Sequence, residues 1–590
     1  MLLKSLVDYS ERLEGDEGTE TLPPGYQKVG VRWLIHLDEQ GQVTRAAART
    51  SDEKSQGDRA RLFTAPSLVR AASIKAKLLV DNGEYTLGIA RDGVDADKVA
   101  ERHEAYKRAV EACAETTHLP EVRAVQRFLE DPNVETLELP KDFDPAENLT
   151  FMVNGTRPID SPEVRRYWSE TGRTAGKDAK NALTAECLIS GETGKVMDRE
   201  PVKIKGIPGG QTSGMNLISA NEAVYESYGL SASQIAPVLP QYAEKYANAL
   251  NALLKDRKTH LRVGSLVYVF WTRRGEIPPV PDLLSNPTGE NAELAALFSD
   301  EEMPVAEMTD RPEQVRRTIG SVWTGRTSES MKDDAFFAAA FSASGSRVVV
   351  RDHIETTVGR VRENLRRYFA SQALTDSDGK RGTPLGLYAL AAGLYRDANK
   401  ELVPNVPVAL VAFALKETPL PYSFLDQLIK RNRAERRVTR PRAVLTKMVL
   451  ASLKEDMIRM ESLVRDRPEV SYHLGRLLAA LDSLQYAALG KVNATMVDRF
   501  YGSFSTAPES VFGRLMQSSQ DHLSKIRKNK PGAHTNAQKR LQEILTRISD
   551  VPGTLGTKDQ ALFSLGYYHE RADYWAALTE RMEQQSEENA

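Results

Sequence analysis

Cysteine is nearly missing: Cys113 and Cys187 are the only two in 590 residues. Two thiols build neither a disulfide framework nor a four-cysteine zinc site, so the chain reads as cytoplasmic, in a reducing compartment. Long apolar runs are missing too. The longest, Pro407 to Leu415, falls far short of the roughly 20 residues a membrane helix needs, and the N-terminus brings a charge every few residues, so neither a membrane span nor a signal peptide is expected. Charge of one sign is also lacking: 79 Lys+Arg stand against 81 Asp+Glu, a formal net of −2. Bulk charge therefore gives no sign of a polyanionic partner, and any such surface must come from how the charges are distributed.

Catalytic patterns are equally sparse. The nine histidines are scattered without a His-x-x-x-His pair, and neither cysteine sits in a nucleophile motif. Two segments imitate phosphate-binding loops, Ser190 to Val196 and Gly172 to Asp178. Both lack the leading glycine and the Ser/Thr after the lysine that would hold magnesium, so both are expected to be turns. Asp352-His353-Ile354-Glu355 offers metal-ligand types, but no second His-Asp pair lies nearby. No catalytic residue, metal site or cofactor is expected, and a binding protein is favoured over an enzyme. A metal-dependent nuclease is the alternative, and it needs a carboxylate/histidine cluster.

What the sequence does have is enough chain for several domains and a near-average globular composition, 41% hydrophobic and 27% charged. Leu2, Leu3, Leu6, Val7 and Leu13 recur at helical spacing. Strands are predicted at Val31–Asp38, Tyr85–Ile89, Leu149–Val153, Leu261–Trp271 and Arg347–Arg351, with helices at Ala96–Thr117, within Ser161–Leu183, and at Gln241–Asp256. From Leu385 onward helical periodicity dominates, at Met448–Val464, Val470–Leu489, Val511–Arg527 and Ala537–Ile548. The expected fold class is α+β: an irregular N-terminal α+β domain over 1–370, a polar linker over 371–384, and an all-helical C-terminal bundle over 385–590.

Within that bundle the charge is uneven. Lys430 to Lys447 holds eight basic residues against Glu435, and Arg514 to Arg547 holds eight against Asp521 and Glu543. A single run of this kind is usually a solvated face. Two in one neutral protein point to a nucleic-acid groove, and arginine suits phosphate because its planar guanidinium grips two oxygens at once.

Ordered blocks along nearly the whole chain resemble a known family. They begin with Leu22-Pro-Pro-Gly-Tyr26, the strand ending at Leu37-Asp38, Arg70 to Asn82, and Cys187-Leu-Ile-Ser-Gly191. Ile204-Lys-Gly206, Gly210-Gln-Thr-Ser-Gly214, Leu217 to Asn221 and Tyr225-Glu-Ser-Tyr-Gly229 follow. Later come Arg347 to Asp352, Ile354 to Thr357, Arg436 to Arg442, Leu474-Gly-Arg476, Asn493-Ala-Thr495, Asp498-Arg499 and Phe563 to His569. The chain resembles the large subunit of the type I-C CRISPR Cascade complex.

The resemblance implies a non-catalytic subunit of an RNA-guided surveillance complex. Such a subunit recognises the protospacer-adjacent motif in duplex target DNA, promotes unwinding and R-loop formation, and stabilises the displaced strand. Its implied partners are crRNA, double-stranded DNA, the backbone, crRNA-processing and small Cascade subunits, and a helicase-nuclease recruited afterwards. The resemblance also implies that an internal start, at Met448, Met457 or Met460, yields a separate small subunit from the helical part.

Within this frame, two segments carry the donors, acceptors and glycines that reading a groove requires. One offers Arg70, Ser73, Lys75, Lys77 and Asn82; the other offers Gln211, Thr212, Ser213, Asn216 and Asn221. For the nucleic-acid backbone the candidates are Arg347, Arg351, Arg431, Arg433, Arg436, Arg437, Arg440, Arg442, Lys525 and Lys528. The pairs Phe500-Tyr501 and Tyr567-Tyr568 are expected to pack in the interior, with base stacking as the alternative.

Overall fold

The computed structural model describes residues 2–15, 25–50, 60–68, 74–130, 137–172, 183–220, 222–274, 279–287, 333–376, 382–453 and 459–588. They fall into two compact units. One comprises residues 1–205, 211–252 and 345–348, the other 206–210, 253–344 and 349–590.

The first unit opens with the predicted amphipathic helix, α1 (Leu2–Gly15), followed by β1 (Tyr26–Val31), β2 (Trp33–Leu37), β3 (Val43–Arg49), β4 (Arg61–Pro66) and β5 (Val80–Asn82). Then come α2 (Gly83–Thr86), α3 (Ala96–Thr117), α4 (Pro120–Glu130), β6 (Asn148–Val153), α5 (Pro162–Tyr167), the ribbon β7 (Thr184–Glu186) and β8 (Thr193–Lys195), and α6 (Pro240–Lys255). The sheet runs β3-β2-β6-β5, with β2 and β6 parallel and both outer pairs antiparallel. Its apolar face buries Trp33, Ile35, Leu149 and Phe151 against Tyr106, Val110 and Val125 of α3 and α4. Helix α3 starts where Asp95 accepts the Asp97 N–H (3.1 Å) and stops where His118 turns left-handed. Tyr85–Ile89, predicted as a strand, is instead α2 and a turn. The Asn82 side chain accepts the Tyr85 N–H (3.3 Å) and nucleates a helix that β-forming side chains alone do not reveal.

The second unit contains β9 (His260–Val263), β10 (Leu266–Thr272), α7 (Val280–Ser285), β11 (Ala335–Ser344) and β12 (Arg347–Thr357) from Val349 onward. These strands form one sheet in the order β12-β11-β10-β9. The predicted strand at Leu261–Trp271 is thus a hairpin, bent at Gly264. Helices follow: α8 (Val358–Gln372), α9 (Leu387–Ala392), α10 (Ala398–Glu401), α11 (Asn405–Lys416), α12 (Ser423–Glu435) and α13 (Arg440–Leu453). Five more complete the chain: α14 (Val470–Leu489), α15 (Met496–Phe504), α16 (Glu509–Asn529), α17 (Pro531–Leu545) and α18 (Thr557–Glu588). Sheet and helices share one core, from Tyr268 and Phe336 through Leu365 and Leu410 to Leu477 and Phe563.

The sheets and the helical run together give the α+β class expected. Ser371, Gln372, Ala373 and Leu374, at the start of the polar stretch, are buried, and the Gln372 carboxamide accepts the Leu385 N–H (2.8 Å). Helix α13 is shorter than the periodicity predicts: residues 459–469 are irregular, and 454–458 lie outside the described residues. Helices α14 and α18 cross at Gly475 and Gly566, where a Cβ would stand 2.0 Å from the Phe563 and Tyr472 carbonyl oxygens respectively, so both positions require glycine. Among the described residues no helix is long and apolar enough to cross a membrane.

Candidate nucleic-acid interface

In the first unit, Arg70, Ser73 and Asn221 lie outside the described residues. Lys75 and Lys77 are half-buried on the approach to β5, where the Lys77 N–H donates to Asp81 Oδ2 (2.9 Å). Asn82 is committed to capping α2. The second segment is better placed. Ile204 and Met215 pair with each other, closing a loop whose Gln211, Thr212 and Ser213 are exposed. Asn251 of α6 anchors its base, accepting the Lys205 N–H (2.9 Å) and donating to the Lys203 carbonyl (3.0 Å).

The next residue of the loop, Asn216, is stitched by its backbone to the β11–β12 turn, donating to Ser346 O (3.2 Å) and accepting from Val348 N–H (2.8 Å). This brings Arg347 alongside, with its guanidinium 4.1 Å from the Tyr225 ring centre. Arg351 donates through Nε to Ser342 Oγ (2.8 Å).

Glu200 holds the same loop from beneath. It is 2% exposed, and it accepts the Leu217 N–H (2.6 Å) and the Tyr246 hydroxyl. Burial pushes its carboxyl up to about 7, and the hydrogen bonds it accepts, from the Tyr246 hydroxyl and the Leu217 and Ile218 backbone, only partly offset that. A folded-state value above the unfolded one means that the native state binds the extra proton. Stability is therefore greatest when Glu200 is protonated and falls as pH rises through about 7, by about 3 kcal/mol over the whole window. Glu200→Gln is expected to flatten this dependence, as read by urea unfolding at pH 5.5 and 7.5. An unchanged pH slope in the variant would assign the dependence to another group.

In the second unit the first basic run divides. Arg431 and Arg442 both pair with Glu435, and Arg442 is 6% exposed, bonded also to the Gly393 and Arg437 carbonyls. Arg440 pairs with Asp376 and donates to the Thr383 carbonyl, and Lys447 is fully buried on the Ala373 carbonyl. These four are engaged by carboxylates and carbonyls of their own unit. Arg437 is exposed. Lys430, Arg433 and Arg436 instead line an open cavity of about 540 Å³ with Ala434, Asp498, Arg499, Gly502 and Ser503. Arg436 sits there in left-handed conformation at the C-cap of α12.

None of the four cations has a carboxylate within ion-pair distance among the described residues. Asp498 is engaged in a capping box with Thr495, and those hydrogen bonds, with Arg436 adding to them, hold its carboxyl below the usual range. The cavity is thus net positive and concave. From Arg499 the charge continues to α16: burial first, then Lys525 and Arg499, lower the pKa of His522. Lys525 and Lys528, one turn apart, are exposed.

The structure therefore joins the two basic runs through Arg499, which charge counting overlooks because Arg499 stands alone in sequence. Tyr501 and Tyr567 are each 1% exposed and pack edge to face at 5.7 Å, so those aromatic pairs belong to the core. Ser190–Val196 is the turn and second strand of the β7–β8 ribbon, whereas 173–182 lies outside the described residues. Among the described residues no group of three or more His, Cys, Asp or Glu could hold a metal ion.

The described residues thus combine an α+β fold with a polar loop beside the β11–β12 turn and a cationic cavity among the helices. The sequence matches the CRISPR-associated protein family Cas_Csd1 over residues 6–575, and the chain belongs to that family. No curated protein matches it closely enough to add to this assignment.

Proposed function

We propose that the chain is the non-catalytic large subunit of a type I-C CRISPR RNA-guided surveillance complex. It recognises the protospacer-adjacent motif in duplex DNA through the Gln211–Asn216 loop with Lys75 and Lys77, and promotes R-loop formation. It stabilises the displaced strand on the Lys430–Arg433–Arg436–Arg499–Lys525 tract and presents a surface to the helicase-nuclease. The family match over residues 6–575 carries this reading. A polar loop in the first unit, and in the second a tract of cations with no carboxylate partner among the described residues, support it, because base edges specify while phosphate contacts supply affinity.

A separately made small subunit is part of the same reading. Met448 lies inside α13, whereas Met460 precedes α14, so a start at Met460 keeps α14–α18 whole. Met457 lies outside the described residues.

The test is a gel-shift with assembled complex on targets with and without the correct flanking motif, at two salt concentrations. Lys75→Ala, Lys77→Ala and Asn216→Ala are expected to abolish motif discrimination while leaving the salt slope intact. Retained discrimination would mark the subunit as architectural. Cleavage in magnesium without the helicase-nuclease, abolished by one acidic or histidine substitution, would overturn the binding reading in favour of a nuclease.

A further inference from the structure

The segment from Glu222 to Leu230 leaves the surface as a short hairpin. Ser227 and Leu230 pair across it, with the Leu230 N–H donating to Ser227 O (3.0 Å). The two residues at the tip, Tyr228 and Gly229, both have positive φ, +55° and +71°. That is the signature of a type I′ turn, whose central positions favour asparagine and glycine. Gly229 obeys the preference, but Tyr228 does not. A bulky residue here is strained, and its ring recovers nothing from the fold because Tyr228 is 98% exposed. Val224, at 78%, and Tyr225, at 48%, are exposed on the same hairpin. Packing therefore does not explain the aromatic tip.

Its neighbours indicate what would. Tyr225 is clamped face-on by Arg347, whose strand neighbours hold Asn216 of the polar loop. The tip is thus tied to the loop that offers hydrogen-bonding groups to DNA. A flat ring held out on a hairpin tied to such a loop suits the face of a nucleobase, since every base has a π-surface to stack on. The exposed carboxylates of Glu222 and Glu226 flank it and repel phosphates, which leaves base faces and edges as the compatible contact; a carboxylate accepts from the cytosine amino group.

We propose that the Tyr228 tip, backed by the Tyr225–Arg347 pair, is a stacking site for unpaired nucleobases at the edge of a DNA duplex. The proposal rests on the nucleic-acid-binding reading above and adds the residue that receives a base once pairing is lost.

Tyr228→Asn separates this role from a structural one, because asparagine suits the turn better than tyrosine. The measurement uses the assembled complex and a motif-bearing target duplex with 2-aminopurine at the base pairs next to the motif. The variant is expected to keep or raise the melting temperature, to bind the intact duplex like the parent, and to lose the change in 2-aminopurine fluorescence. R-loop formation should slow about tenfold, as loss of one base–aromatic stack implies. A mismatched bubble at those positions, or Tyr228→Trp, should restore the rate.

An unchanged fluorescence signal in Tyr228→Asn, with parent-like R-loop rates, would overturn the proposal while leaving the motif-reading assignment standing. A lower melting temperature would make the tyrosine structural, and failure of the variant to assemble would make the tip a protein contact. Either result also overturns it. Absence of motif-dependent binding by the parent complex would instead defeat the underlying reading.

Discussion

Arg476→Met is expected to destabilise the helical bundle by about 3–5 kcal/mol, the range for breaking a buried ion pair by removing one partner. Arg476 is fully buried on α14, and its guanidinium is satisfied on every side. Nε donates to Glu570 (2.9 Å), and Nη1 and Nη2 donate to Glu543 (3.0 and 2.6 Å). Glu570 is 1% exposed and also accepts from Arg540, which in turn reaches Asp573 (3.1 Å). Arg465 closes the set on Glu543 and Asp573 (3.5 Å each).

Three arginines thus balance three carboxylates across α14, α17, α18 and the loop before α14. Methionine fills the volume but leaves Glu570 buried with one cation in place of two, which is worse than having neither charge. The checking measurement is denaturant unfolding followed by far-ultraviolet circular dichroism, with Arg476→Met/Glu570→Gln as companion. The second substitution removes the orphaned charge and should recover part of the loss. A double variant less stable than the single one would contradict this account.

The same network shows why the sequence was legible in parts. Helix α3, with one apolar stripe and an Asp95 cap, and α14, which is buried nearly all round but ends at Gly490, were both delimited to the residue, since helical periodicity and end signals are local. The strand at Tyr85 failed because one asparagine cap outweighed a β-prone composition. The basic runs were legible as totals but not as surfaces. Arg540 and Glu543 were counted in the second run, yet both belong to the buried network, and Arg431, Arg440 and Arg442 serve carboxylates and carbonyls of their own unit. Whether an arginine is free depends on which helix ends face it, and that is tertiary information. Arg499 and Tyr228 were missed for the same reason: one is an isolated cation that folding brings to the same cavity as Arg433, the other an ordinary tyrosine whose strain exists only in its turn.

That division between paired and unpaired arginines sets up a separable result. Replacing Arg433, Arg436 and Arg499 together with glutamine is expected to weaken binding of the RNA-loaded complex to target DNA by about 100-fold, at about 1 kcal/mol per lost phosphate contact. It should also reduce the slope of log affinity against log salt by about 2, since each neutralised single-strand phosphate contributes about 0.7. The loss should be uniform across sequences, because phosphate contacts carry no base information. Stability should barely change, as the three side chains border an open cavity and have no carboxylate partners among the described residues.

Arg442→Gln, from the same basic run, should do the reverse. Its removal leaves Glu435 with Arg431 alone and the Gly393 carbonyl without its donor, so the bundle should lose stability while the salt slope is unchanged. If instead the triple variant kept the parental slope and Arg442→Gln lowered it, the polyanion would have to lie on the other side of α12, and the cavity would have no part in holding it. The two readouts, slope and unfolding midpoint, therefore separate Arg433 and Arg436 from Arg442 by what each one faces, which their charge alone cannot do.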